Sequence, residues 1–155
     1  MHRSSRRGGL VALTLATGVC GASAQGLGPA AGAVDAWFRS AARPLCVSAD
    51  GTDTRCTARN GSRYTVGYAP DGAAAIAFVR FQADPTGNAE NLEVATFRAM
   101  GGRWVFVRKV GNIFGQGPGR IGFEDGRAVF TMEVLRENDA RCCPTGTRRH
   151  AVPVP

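Results

Sequence analysis

The sequence predicts an α+β fold, in which one N-terminal helix packs on a curved antiparallel β meander of six to eight strands. Two observations predict it. Residues 34–42 place Val34, Trp37, Phe38 and Ala41 at the i, i+3, i+4, i+7 spacing of an amphipathic helix. The later segments alternate between apolar and polar residues, and Asp-Gly or Gly-Gly pairs separate them. Such pairs favour tight turns between antiparallel strands.

Each element follows from its local pattern. Pro44 is expected to stop the helix, because proline disfavours the helical conformation of the residue before it. Residues 73–82 are mostly apolar and predict a central strand, whereas residues 111–120 hold four glycines and predict a flexible loop. The remaining strand candidates are residues 45–48, 55–59, 62–68, 92–100, 103–110, 121–123, 128–136 and 147–152.

The first 24 residues have the three parts of a cleavable signal peptide. Three arginines precede a short apolar stretch, and small residues favour cleavage between Ala24 and Gln25. The apolar stretch is too short to span a bilayer, which takes about 20 residues. We therefore expect a periplasmic or secreted protein without a transmembrane segment, and both general secretory and twin-arginine export stay open. Residues 25–33 are expected to form a flexible leader, and residues 34–155 a single domain.

The predicted mature chain has 131 residues with 16 basic and 12 acidic side chains, a net charge of +4. This excess is too small to indicate nucleic-acid binding. Lys109 is the single lysine of the chain. The later strands and turns carry many arginines, which either form a binding face for an anionic partner or are simply solvated. These arginines are Arg98, Arg103, Arg108, Arg120, Arg127, Arg136, Arg141, Arg148 and Arg149.

The four cysteines of the mature chain allow three complete pairings. A hairpin folded at Gly51 sets Cys46 opposite Cys56, so we expect these two to pair and Cys142 to pair with Cys143. The alternative joins Cys46 and Cys56 separately to the Cys142-Cys143 pair, which would close longer loops.

The segment from residue 64 to 152 resembles a domain of uncharacterised secreted bacterial proteins. The resemblance rests mainly on Asp139 and on the Cys142-Cys143-Pro144-Thr145 sequence that follows it, an Asp-x-x-Cys-Cys-Pro-Thr motif. A Gly-Asp that often heads the glycine-rich loop of that family is Gly111-Asn112 here. The resemblance implies a fold and a compartment, and no activity.

The sequence offers little for catalysis, metals or cofactors. His150 is the only histidine of the mature chain, and a position near a fraying terminus is a poor platform for a base. Paired carboxylates at 124–125 and at 137 and 139 fit turn-forming roles. Asp50-Gly51-Thr52-Asp53 lacks the complete ligand series of a calcium loop.

We therefore predict a non-enzymatic binding or interaction domain, without a cofactor, for an unknown envelope or extracellular partner. The alternative is a thiol-dependent protein that uses Cys142 and Cys143 for disulfide exchange or for binding a soft metal.

Overall fold

A computed structural model describes residues 28–41, 64–81 and 90–155. These residues form one helix and seven strands: α1 (Ala31–Ala41), β1 (Tyr64–Tyr68), β2 (Ala74–Phe81), β3 (Asn91–Met100), β4 (Arg103–Val110), β5 (Gly122–Glu124), β6 (Arg127–Val134) and β7 (Gly146–Pro153). The predictions for the signal peptide, Gln25, Cys46, Cys56 and the first two strand candidates lie outside the described residues.

The strands form two antiparallel sheets, one ordered β1-β2-β3-β4 and the other β5-β6-β7. The α+β class and the antiparallel pairing are therefore confirmed, whereas the strands do not continue as a single meander. The chain leaves the first sheet at the end of β4, and the glycine-rich segment (residues 111–120) leads to β5 of the second sheet. Alternation along a strand shows which side chains are buried, but it does not show which layer covers them.

The two faces of the four-stranded sheet are covered by different layers. On one face, Ala75, Ala77 and Val79 of β2 pack against Trp37 and Phe38 of α1. The helix predicted from residues 34–42 is thereby confirmed, but it begins earlier than predicted. Residues 31–33, which were expected to belong to a flexible leader, are part of α1. Because its neighbour on each side is a strand and each face is covered, β2 is buried along nearly its whole length.

On the other face, Ile76 and Phe78 of β2 pack against the three-stranded sheet. The rings of Phe78 and Phe130 meet edge to face, with their centroids 4.7 Å apart. The described residues therefore form three layers: the helix, the four-stranded sheet and the three-stranded sheet.

The start of the helix is fixed to β1. The backbone N–H of Ala30 donates to the Tyr68 hydroxyl at 2.9 Å, and the Tyr64 hydroxyl donates to Asp35 at 2.5 Å. Burial raises the pKa of Tyr68, and the hydrogen bond from Ala30 opposes that shift. Two tyrosines of one strand thus hold α1 along the sheet.

Candidate binding surface

Strand β4 presents apolar side chains at the edge of the four-stranded sheet. It pairs with β3 on one side and has no strand on its other side among the described residues. Val105, Phe106 and Val107 keep 37%, 44% and 38% of their surface exposed. Three consecutive exposed apolar residues on an open strand are unusual for a solvated surface, because native edges are generally short, charged or covered. We call Val105–Val107 the apolar strip.

Two structural features leave the apolar strip exposed. Phe106 faces α1 and stacks on Trp37 at 5.6 Å, but the helix covers only part of its ring. A register shift between Thr96 and Phe97 leaves Val107 without a partner on β3. Such a bulge bends a strand and increases its twist.

Cationic side chains stand at both ends of the apolar strip. Arg103 precedes it, and Arg108 and Lys109 follow it. Lys109 is paired with Glu93 at 2.7 Å, and Arg108 donates to the Pro153 carbonyl at 2.9 Å. The sequence shows these residues, but it does not show that β4 is an edge strand, so this surface was missed.

The predicted pairing of Cys142 with Cys143 agrees with the structure, in which the two neighbours form a disulfide. Both residues are exposed, in the loop between β6 and β7. Gln116 of the glycine-rich segment donates to the Cys142 carbonyl at 3.4 Å. Because Cys46 and Cys56 lie outside the described residues, their pairing stays a prediction.

Asp139 closes this loop. Its carboxylate accepts hydrogen bonds from the backbone N–H of Arg136 at 2.7 Å and from that of Thr145 at 2.7 Å. It also accepts one from the Thr145 hydroxyl at 2.8 Å. These bonds account for the aspartate and the threonine of the Asp-x-x-Cys-Cys-Pro-Thr motif: the two residues hold the ends of the loop together. The turn-forming role that the sequence favours for Asp139 is consistent with this geometry.

The hydrogen bonds from Arg136 and Thr145 lower the pKa of Asp139 below its ordinary value of 3.8. A carboxyl with a depressed folded-state pKa stabilises the fold above its unfolded-state pKa, and this contribution is lost as the pH falls through the folded-state value. We expect Asp139→Asn to lower stability to urea at pH 7, and the difference from wild type to shrink below about pH 4. Urea unfolding across pH 3–7 measures it.

Asp125→Asn, which removes a carboxylate at another exposed turn, is the matched control. An equal loss for Asp139→Asn at pH 3 and at pH 7 would show that the ionised carboxylate does not stabilise the loop.

The glycine-rich segment is a loop, as the sequence predicts, since it contains no helix or strand, but hydrogen bonds fix part of it in place. Gln116 and Glu133 of β6 exchange backbone hydrogen bonds of 2.9 and 2.8 Å, and the N–H of Gly119 donates to the Thr131 carbonyl at 2.8 Å. Arg80 donates to the carbonyls of Gly115 and Gly117. The segment is therefore fixed along β6, and it is followed by strand β5 and not by the helix that a phosphate-binding loop needs.

The glycines of this segment permit its close approach to β6. A Cβ atom at Gly115 would overlap the Glu133 carbonyl oxygen, and Gly115 has a φ of 116°. We expect Gly115→Ala to cost more than about 2 kcal/mol, because overlap with backbone adds to the strain of this conformation. Urea unfolding measures the loss.

Gly72→Ala separates the two causes, because Gly72 also has a positive φ, of 70°, but faces open space. Its loss is expected to be about 1–2 kcal/mol. Equal losses in the two variants would mean that the segment can lift away from β6 without cost.

His150 lies on a well-paired strand and not at a fraying terminus, since β7 pairs with β6 from Gly146 to Pro153. Its ring stacks on Phe130 at 5.4 Å. Burial, and then the charge of Arg148, lower the pKa of His150. Its Nε2 is buried and has no hydrogen-bond partner among the described residues.

The carboxylates do not form a facing pair. Glu124 bonds Arg149 at 2.9 Å, whereas Asp125 occupies the following turn with a φ of 47°. Asp139 is bound within its own loop. Among the described ranges, no group of three or more His, Cys, Asp or Glu side chains could hold a metal ion. In the same part of the chain, every helix is too short or too polar to cross a membrane.

Comparison with known proteins adds no relative. No family model, curated protein or solved structure matches the chain. The resemblance to secreted proteins with a Cys-Cys-Pro motif therefore stays a prediction, and the function must be argued from the surface of this chain.

Proposed function

We propose that this protein is an exported, non-enzymatic binding domain, and that it binds its partner through the outer edge of β4. The signal-like pattern of the first 24 residues supports export. The observation that carries the proposal is the exposure of Val105, Phe106 and Val107 on an edge strand. Exposed apolar side chains with a polar rim are typical of an interaction site.

The rest of the described surface supports binding better than catalysis. Three polar groups that could do chemistry already have structural partners: Asp139 holds the Cys-Cys loop, Glu124 bonds Arg149, and Arg80 fixes the glycine-rich segment. Phe106 is held by stacking on Trp37, so this ring of the apolar strip is preorganised and loses little side-chain freedom on binding.

Site-specific photo-crosslinking in the cells that produce the protein tests this function. A photoreactive amino acid replaces Val107 in one variant and Thr147, exposed on β7, in the control. We expect one discrete adduct from position 107 and none from position 147. The absence of an adduct at 107, or the same adducts at both positions, would contradict the proposal.

A second candidate function uses the disulfide between Cys142 and Cys143. The observation that favours it is that both cysteines are exposed and bonded to each other. In this function the disulfide takes two electrons and two protons from a dithiol partner. Cys142 and Cys143 become thiols, and the partner gains the disulfide.

Tryptic mapping after alkylation, without reduction, distinguishes the two functions. Cleavage after Arg141 and Arg148 releases both cysteines in one peptide, residues 142–148. Protein purified from its own compartment with both cysteines alkylated would favour the thiol function. An unalkylated peptide two hydrogens lighter than the dithiol form is expected if the disulfide is structural. A peptide joined to Cys46 or Cys56 would exclude the redox function.

A further inference from the structure

We propose that the β4 edge binds an extended peptide segment of a partner protein as an added strand, and that this segment carries acidic residues on both sides of an apolar centre. The inference rests on the proposed function and specifies the chemistry of the ligand.

The backbone of β4 supports strand addition. All backbone pairing of Arg103–Val110 among the described residues is directed to β3. Within the described ranges, the N–H and C=O groups on the other side of the strand have no strand partner, and these are the groups with which a new strand would pair. An extended peptide that pairs with such an edge gains main-chain hydrogen bonds, and its alternate side chains determine specificity.

The charges of β4 determine which peptide fits. Arg103 stands before the apolar strip, and Arg108 and Lys109 stand after it. Arg98 of β3 adds a cation at the same end as Arg103, where it contacts Met100. Glu93 is the only acidic side chain of the two strands. A complementary strand therefore needs an apolar centre opposite the strip and acidic residues opposite its two ends.

The same charges disfavour a second copy of this chain. Two β4 strands paired edge to edge would bring their arginines and lysines into one ribbon, and like charges across a strand pair are destabilising. Cationic side chains on an edge strand are a common device against edge-to-edge association. An acidic segment converts that repulsion into attraction.

NMR titration of the full mature chain with synthetic peptides tests the inference. The probe is the capped peptide Asp-Glu-Val-Thr-Val-Glu-Asp. One comparison peptide carries lysine at every acidic position, and another carries proline at the central threonine, which removes an N–H from the strand. We expect the acidic peptide to shift the amide signals of β4, to bind more weakly as salt is raised, and to lose affinity on the proline change.

Charge reversal on the protein provides the matched variants. Arg103→Glu is expected to weaken the acidic peptide about tenfold and to strengthen the lysine peptide. Arg120→Glu makes the same change in net charge away from β4 and is expected to leave both affinities unchanged. Both positions are exposed, so both variants should fold.

Several outcomes would overturn the inference: equal binding of the lysine peptide, shifts confined to β7 or α1, or equal effects of Arg103→Glu and Arg120→Glu. Concentration-dependent β4 shifts without peptide would instead indicate self-association. Binding of phosphatidylglycerol vesicles and not of the acidic peptide would indicate a membrane surface, and this also overturns it. An adduct at position 107 without acidic-peptide binding refutes this ligand alone, whereas the absence of both refutes the proposed function as well.

Discussion

Replacing Phe130 with alanine is expected to lower the free energy of unfolding by about 3–5 kcal/mol. The side chain is 1% exposed and lies between the two sheets. It meets the Phe78 ring at 4.7 Å and stacks on His150. Its removal leaves a cavity between two sheets whose backbones are held by their own hydrogen bonds, so the layers cannot close on the space. Urea unfolding monitored by circular dichroism measures the loss.

Phe114→Ala is the matched control, because Phe114 is 66% exposed and its loss should cost less than about 0.5 kcal/mol. The titration of His150 gives an independent readout. Burial lowers its pKa in the wild type, and the loss of the Phe130 ring should let that pKa rise towards its ordinary value of 6.5. Equal stability of the two variants would mean that the sheets do not pack through Phe130.

Replacing Trp37 with alanine is expected to cost about 3–5 kcal/mol as well. Trp37 is 8% exposed, stacks on Phe106 at 5.6 Å and meets Phe97 edge to face at 5.9 Å. The substitution removes the contacts of α1 with Phe97 and Phe106 of the four-stranded sheet. It should also free the Phe106 ring, so it is expected to weaken partner binding at β4. Thermal and urea unfolding measure the first effect, and crosslinking from position 107 measures the second.

Arg39→Ala is the control on the same helix. Its side chain is 72% exposed and pairs with Asp35, so its loss should cost no more than about 1 kcal/mol. If Trp37→Ala unfolds at the wild-type temperature, the helix does not dock on the sheet.

The candidate site could be predicted from the sequence only in part. Arg103, Arg108 and Lys109 are visible as cations of a predicted strand, and Trp104 to Val107 form an apolar run inside it. An apolar run of this kind is equally typical of a buried strand. The edge position of β4 and the register shift beside Phe97 arise from pairing and packing, so the exposure of the strip is not encoded in any local pattern.

The contacts of the Cys-Cys motif could be predicted from the sequence, whereas those of the glycine-rich segment could not. The pairing of Cys142 with Cys143 was expected because the other two cysteines of the mature chain, Cys46 and Cys56, were predicted to pair with each other. The structure agrees on the Cys142–Cys143 disulfide. The binding of Thr145 by Asp139 follows from their closeness in sequence, within one turn-rich loop. By contrast, the contacts of Arg80 with Gly115 and Gly117 join residues more than thirty positions apart. Sequence reasoning therefore assigned flexibility to a segment that tertiary contacts fix.

The sequence by itself determined the secondary structure of the described residues, because helix and strand periods and glycine turns act over a few neighbouring positions. Residues 103–110 form the strand with the predicted bounds, and the helix differs from its prediction by three residues at its start. Only the tertiary structure decided that the strands divide into two sheets with β2 buried between the helix and the second sheet. Alternation marks a side chain as buried, but the layer that buries it depends on long-range packing, which no local period specifies.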